Sequence, residues 1–210
     1  MCATRFTEQD QDLYDRIFRQ NKEWATNKKN SDRRFFKRHF KAQNPQFLYI
    51  GCSDSRVPIG DLTGMDIGDI FVHRNIANLV NPEDENTMAV LRYGVEFLKI
   101  KHIVVSGHYG CGGVQAANSE QHFGALDNWL KPIRILRQDK AGLLDLISDK
   151  EAENDKLAEF NVLKQCQNLM QLDFIQESIA QKAFPKIHAW IYDMRKGLLK
   201  DLNFDMLSSR

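Results

Sequence analysis

Phe47-Leu48-Tyr49-Ile50-Gly51-Cys52-Ser53-Asp54-Ser55-Arg56 is the stretch that decides the fold. Its first four residues are a short apolar run suited to a buried strand, and its end turns abruptly polar and reactive. Two similar runs follow: Ile70-Phe71-Val72 leads into His73-Arg74-Asn75, and Ile103-Val104-Val105 leads into Ser106-Gly107-His108. Between them, Pro82 and the acids Glu83, Asp84 and Glu85 suit the first turn of a helix. Met88, Leu91, Val95 and Leu98 continue it to Lys99. Continuous apolar strands joined by a helix long enough for a crossover indicate an α/β fold with a mostly parallel central sheet flanked by helices.

Working outward, Leu13, Ile17 and Trp24 recur among charges, so residues 1–42 read as an amphipathic helical arm ending before Asn44-Pro45. Downstream, Leu126 to Leu136 and Asp149 to Ala183 read as helical. A last strand pair follows, in which Ile187, Ala189 and Ile191 alternate with His188, Trp190 and Tyr192, as a half-exposed edge would. No repeat or linker divides the chain, so residues 1–210 are expected to form one α/β domain carrying its arm. That length suffices for one substantial core.

The charge balance, 29 basic against 28 acidic residues, argues against a dedicated nucleic-acid binder. The basic run from Lys28 to Lys41, with Arg33, Arg34, Lys37 and Arg38, reads as a solvated helix face. No stretch approaches the ~18 apolar residues of a membrane span. The polar segment from Met1 to Arg19 has neither a secretory apolar core nor transit-peptide character, and a cytoplasmic location is expected. Four cysteines in so long a chain do not suggest a disulfide framework. Cys2 reads as a thiol at a frayed terminus and Cys166 as a small core residue. His39, His102 and His122 read as surface residues, and His73 and His188 as structural ones.

Sites in open α/β sheets gather beyond the carboxyl ends of strands. Here those ends are Cys52 to Arg56, His73 to Asn75 and His108-Tyr109-Gly110-Cys111. His108 and Cys111 can reach one ion from a tight turn, with Cys52 arriving from another strand end. Two thiolates and an imidazole suit tetrahedral Zn²⁺ with a fourth position left for water. The alternative is a pair of buried core thiols beside a core histidine. Gly51, Gly107, Gly110, Gly112 and Gly113 favour the metal, because they permit tight turns crowding one point. Arg56 would keep Asp54 ionised, and Asp54 could then bind zinc or accept a hydrogen bond from zinc-bound hydroxide.

The three segments Cys52 to Arg56, His73 to Asn78 and Gly107 to Gly113 together resemble the β-class carbonic anhydrases. The resemblance extends from Trp24 to Tyr192 and implies reversible hydration of carbon dioxide to bicarbonate and a proton by zinc-bound hydroxide. It implies Cys52, His108 and Cys111 as ligands to one Zn²⁺ per subunit, and Asp54 held by Arg56 as the catalytic pair. It assigns the substrate pocket to Gln43, Phe71, Ile76, Tyr93 and the Gly112 backbone. It also implies a homodimer or homotetramer, with the N-terminal helices packing on a partner subunit.

One subset of that family closes its site by turning the counterpart of Asp54 into a fourth ligand, and bicarbonate stabilises the closed form beside a Trp, an Arg and a Tyr. Arg74 and Tyr192 match the last two positions, while Tyr49 stands where the Trp would be. Two other functions suit the same residues: hydrolysis of a related heterocumulene such as carbon disulfide, and a zinc-stabilised or redox-sensing binding protein without turnover.

Overall fold

Thr7 starts the first helix in the computed structural model, which describes residues 7–205 in two compact units divided between Gln43 and Asn44. In the first unit the Thr7 hydroxyl accepts from the Asp10 N–H. The Asp10 carboxylate accepts in turn from the Thr7 N–H, capping α1 (Glu8–Ser31) reciprocally. Asp32 ends α1, and α2 (Phe35–Lys41) folds back with Phe36 edge-to-face on Trp24 at 5.6 Å. Leu13, Tyr14, Ile17 and Phe18 are each more than half exposed along α1. Within the basic run, Arg38 pairs with Asp32.

The second unit runs β1 (Phe47–Cys52), α3 (Ile59–Thr63), β2 (Ile70–Asn75), a 3₁₀ turn (Ile76–Asn78) and α4 (Glu85–Arg92). It continues through β3 (His102–His108), α5 (Gly112–Ala117), α6 (Leu126–Asp139), α7 (Ala141–Leu144), α8 (Lys150–Met170), α9 (Asp173–Lys182), β4 (Lys186–Asp193) and β5 (Leu198–Asp201). The sheet order is β2-β1-β3-β4-β5, parallel except for β5. The chain leaves β1 for one neighbour and returns to the other side for β3. A crevice therefore opens at the carboxyl ends of β1 and β3, the usual place for a ligand in such sheets.

Four sequence expectations change. The helix expected from Pro82 starts at Glu85, because Asp84 caps it by accepting from the Asn86 N–H, and it ends in one π-helical turn, Tyr93–Phe97. The helical region from Asp149 is two helices, broken after Met170. β4 is an interior strand, since β5 pairs along its outer side; its alternating burial separates two sheet faces rather than marking an edge. Cys166 is wholly buried, whereas Cys2 lies outside the described residues. His102 is half-buried, stacked on Phe47 and 3.0 Å from His188, so it is no simple surface residue. Among the described residues, no helix is long and apolar enough to cross a membrane.

The main core lies between one sheet face and α8. Leu48, Ile50, Ile103, Val105 and Ile191 meet Leu157, Val162 and Leu169, all fully buried. Each such side chain contributes about 1.5–3 kcal/mol on burial. On the other face Tyr49, Val104 and Ile59 form a small cluster with Phe47, Ile70 and Trp190. Gly107 lets α8 approach β3 next to the site, because a Cβ there would lie 2.6 Å from Val162 Cγ2 and 3.2 Å from Ile191 Cδ1. Gly107→Ala is therefore expected to cost about 1–3 kcal/mol by overpacking. Adding Val162→Ala should recover part of that loss in a denaturant double-mutant cycle.

Candidate metal centre

Cys52 ends β1, His108 ends β3, and Cys111 follows three residues later, just ahead of α5. Their donor atoms lie within 4.8 Å of one another, all buried. The two sulfurs are 3.8 Å apart. That matches the separation of about 3.8 Å that two Zn–S bonds of ~2.3 Å subtend at a tetrahedral angle. His108 Nδ1 faces the Tyr109 carbonyl at 3.0 Å, which makes it the protonated nitrogen. Nε2 then carries the lone pair, and it is buried without a hydrogen-bond partner. The residues fit a zinc ion: two soft sulfurs, one aimed imidazole nitrogen and no fourth protein donor within the group.

The two thiols also need a cation for electrostatic reasons. The hydrogen bond between them holds the Cys52 thiol well below its ordinary value and pushes Cys111 well above. One thiolate forms readily; the second requires a positive charge between them.

Asp54 and Arg56 stand beside this cluster as a two-pronged pair. Arg56 Nε and Nη2 donate to Asp54 Oδ1 and Oδ2 at 2.9 and 2.7 Å, and the Arg56 backbone N–H adds a third bond at 2.9 Å. Those bonds from Arg56 keep the Asp54 carboxyl well below the usual carboxylate range. Asp54 Oδ2 is 3.7 Å from His108 Nε2, so the carboxylate borders the ligand cluster while bound to Arg56. Arg74 fixes the intervening backbone by donating to Cys52 O at 2.8 and 2.6 Å and to Asp54 O at 2.6 Å.

Residues 47–199 match the carbonic anhydrase family. A carbonic anhydrase of Emericella nidulans is 45% identical over 204 residues, covering 97% of this chain and 88% of that one. The chain belongs to the β-carbonic anhydrases. A tetrameric β-carbonic anhydrase of Sordaria macrospora superposes with a TM-score of 0.89 at 39% identity, covering 91% of this chain and 98% of that one. The Coccomyxa β-carbonic anhydrase crystallised with acetazolamide gives 0.85 at 36% identity, over 89% and 84%.

The other residues named from the family likeness are spread more widely. Phe71 and Tyr93 bring their rings to 5.9 Å, and Ile76 is partly exposed on the turn after β2. Gln43 ends the first unit. Gly112 opens α5, and a Cβ there meets nothing within 4 Å. Its neighbour Gly113 is the constrained one: a Cβ would lie 2.8 Å from Ile76 Cγ2 and 3.1 Å from Ala77 Cβ. Tyr49 is buried with its ring over Gly51 and its hydroxyl unpaired, while Tyr192 lies opposite His108 on β4.

Sequence reasoning missed the residues that brace the turn between the ligands. Asp155 on α8 accepts from the Gly110 N–H at 3.1 Å and from Arg195 at 2.6 Å. One turn later Glu159 accepts from the Tyr109 hydroxyl at 2.6 Å. The acids' i, i+4 spacing was visible, but the Tyr109 and Gly110 groups they hold lie 50 and 45 residues away in sequence. Burial opposes the Glu159 charge, yet bonds from Lys200, Tyr109 and Lys156 outweigh it and draw the carboxyl from 4.5 to about 2. Its contribution to stability is present above the unfolded value and disappears as pH falls through the folded one.

Glu159→Gln should therefore lose less unfolding free energy than the wild type as pH falls from about 4.5 to about 2, measured by denaturant titration. Gly113→Ala should lower zinc content on metal analysis, whereas Gly112→Ala should leave it unchanged. Cys111→Ser should lose the metal.

Proposed function

We propose that the chain is a zinc carbonic anhydrase that reversibly hydrates carbon dioxide to bicarbonate and a proton. The observation that carries this reading is the buried Cys52–His108–Cys111 cluster bordered by the arginine-held Asp54, in a chain that belongs to the β-carbonic anhydrases. When bound, zinc in such a site lowers the pKa of a coordinated water toward ~7 and supplies a nucleophile near neutral pH. Asp54 Oδ2 is the acceptor that orients the nucleophile's proton, and its ionised state is secured by Arg56. An apolar substrate is served by Phe71, Ile76 and Tyr93, with the Gly112 N–H available to its oxygens. Neither alternative function weighed from sequence is favoured, since the matching family and relatives are carbonic anhydrases.

Assembly into a homodimer or homotetramer belongs to the same reading. Leu13, Tyr14, Ile17 and Phe18 give α1 an exposed apolar side suited to a second copy. Regulation extends it. Moving Asp54 from Arg56 onto the metal would close the centre, with bicarbonate held by Tyr49, Arg74 and Tyr192. In support, Arg74 bridges the Cys52 and Asp54 carbonyls, so an anion drawing on Arg74 acts on the backbone that carries Asp54.

Stopped-flow measurement of CO₂ hydration from about pH 6.5 to 9 on zinc-loaded protein tests the proposal. Turnover that rises with pH is expected, and zinc-loaded protein inactive throughout the range would sink it. Asp54→Ala should keep its zinc and lose about 100-fold or more in kcat; full activity in that variant would remove Asp54 from the mechanism.

A further inference from the structure

The Ala77 N–H points at Cys52 Sγ from 3.4 Å, on a backbone that ordinary residues avoid. Ala77 and Asn78 have φ of 62° and 51°, two successive non-glycine residues in the left-handed region. Such a segment persists only where its surroundings over-determine it. Here the surroundings are a ladder of amides on α8. Asn161 Nδ2 donates to Ala77 O at 2.9 Å, and Gln165 Nε2 donates to Asn161 Oδ1 at 2.8 Å. Gln165 Oε1 accepts from the Val80 N–H at 2.9 Å, and Asn168 Nδ2 donates to Val80 O at 2.9 Å. On the opposite side, Trp129 Nε1 donates to Ile76 O at 2.9 Å.

Asn161 is 1% exposed and Gln165 3%, among apolar α8 neighbours. Burying amides there carries a desolvation cost that leucines would avoid. The ladder's bonds to other elements all go to the backbone of one short segment, whose N–H faces a metal ligand. We propose that the α8 amide ladder, with Asn161 as the member that reaches Ala77, is a positioning device for the metal centre. It holds residues 76–80 in their strained path and so delivers the Ala77 N–H to the Cys52 sulfur. That bond fixes the direction of the sulfur and draws electron density from it, which tunes the metal through its ligand. Asn161 is a positioning residue, since it touches neither substrate nor metal.

The inference rests on the zinc reading above, and its test separates the two. Asn161→Leu keeps the number of side-chain heavy atoms and removes both the donor to Ala77 and the acceptor from Gln165. Trp129→Phe keeps an aromatic ring, smaller than indole, and removes the N–H that reaches Ile76 O. Leu169→Ala is a buried α8 substitution that removes no hydrogen bond to the segment. Zinc-loaded proteins are mixed with a chelator to time metal loss, and cobalt-substituted proteins are scanned for the thiolate-to-metal charge-transfer band. Asn161→Leu should release zinc about 10–100-fold faster, shift the band and lower kcat with little change in KM. Trp129→Phe should move the same readouts in the same direction by less, and Leu169→Ala should leave the band and zinc loss at wild-type values. Wild-type zinc loss and an unshifted band in both Asn161→Leu and Trp129→Phe would overturn the proposal, as would equal shifts in Leu169→Ala. If Asn161→Leu does not fold, Trp129→Phe decides alone. A wild type that binds no metal would instead overturn the reading of the centre itself, and the role of the ladder with it.

Discussion

Two cysteine sulfurs 3.8 Å apart, facing a buried imidazole nitrogen that no protein group bonds, form a cluster the chain cannot satisfy by itself. Burial makes the second thiolate costly, and an unpaired nitrogen in the interior is costly as well. A dication answers both needs at once. Much of the surrounding structure serves to keep these donors converging: the strand ends that carry them, the glycines that let backbones close in, and the helix that braces the ligand turn.

The sheet topology explains why the donors can converge at all. β1 has β2 on one side and β3 on the other, so the carboxyl ends of β1 and β3 open side by side. Cys52 and His108 sit at those ends, and the Gly110 turn brings Cys111 back within reach at φ 66°. A side chain at Gly113 would press on Ile76 Cγ2 and Ala77 Cβ, next to the Ala77 N–H that contacts Cys52. Asp54 then stands at the rim with its charge fixed by an exposed arginine. The metal cluster is buried and the Asp54–Arg56 pair reaches solvent, an arrangement suited to a reaction that must admit a small apolar gas and release an anion and a proton.

Much of this was legible in the sequence because the relevant signals are local. Phe47 to Ile50 and Ile103 to Val105 are too apolar to lie outside a core, and each ends in a potential ligand, so strand ends and donors could be read together. Asp54 and Arg56 are two residues apart, which made their pairing readable. What remained hidden depends on long-range placement or on backbone conformation. Ala77 carries no residue-type signal for positive φ and Asn78 only the general tolerance of asparagine for it, and Asn161 looks like any polar residue on a long helix until Ala77 is packed beside it. A closing strand pair was readable, but β4 reads as its edge because its alternation is real; the short β5 that takes the edge has a weak pattern of its own. The offset at α4 is a capping effect, with Asp84 rather than Pro82 setting the first turn.

Zinc K-edge X-ray absorption on the purified, zinc-loaded protein is the most direct test of the centre. Coordination by two sulfurs at about 2.3 Å and two nitrogen or oxygen atoms at about 2.0–2.1 Å is expected, with one sulfur lost in Cys52→Ser. A zinc shell of nitrogen and oxygen alone, or one unchanged by that substitution, would contradict it.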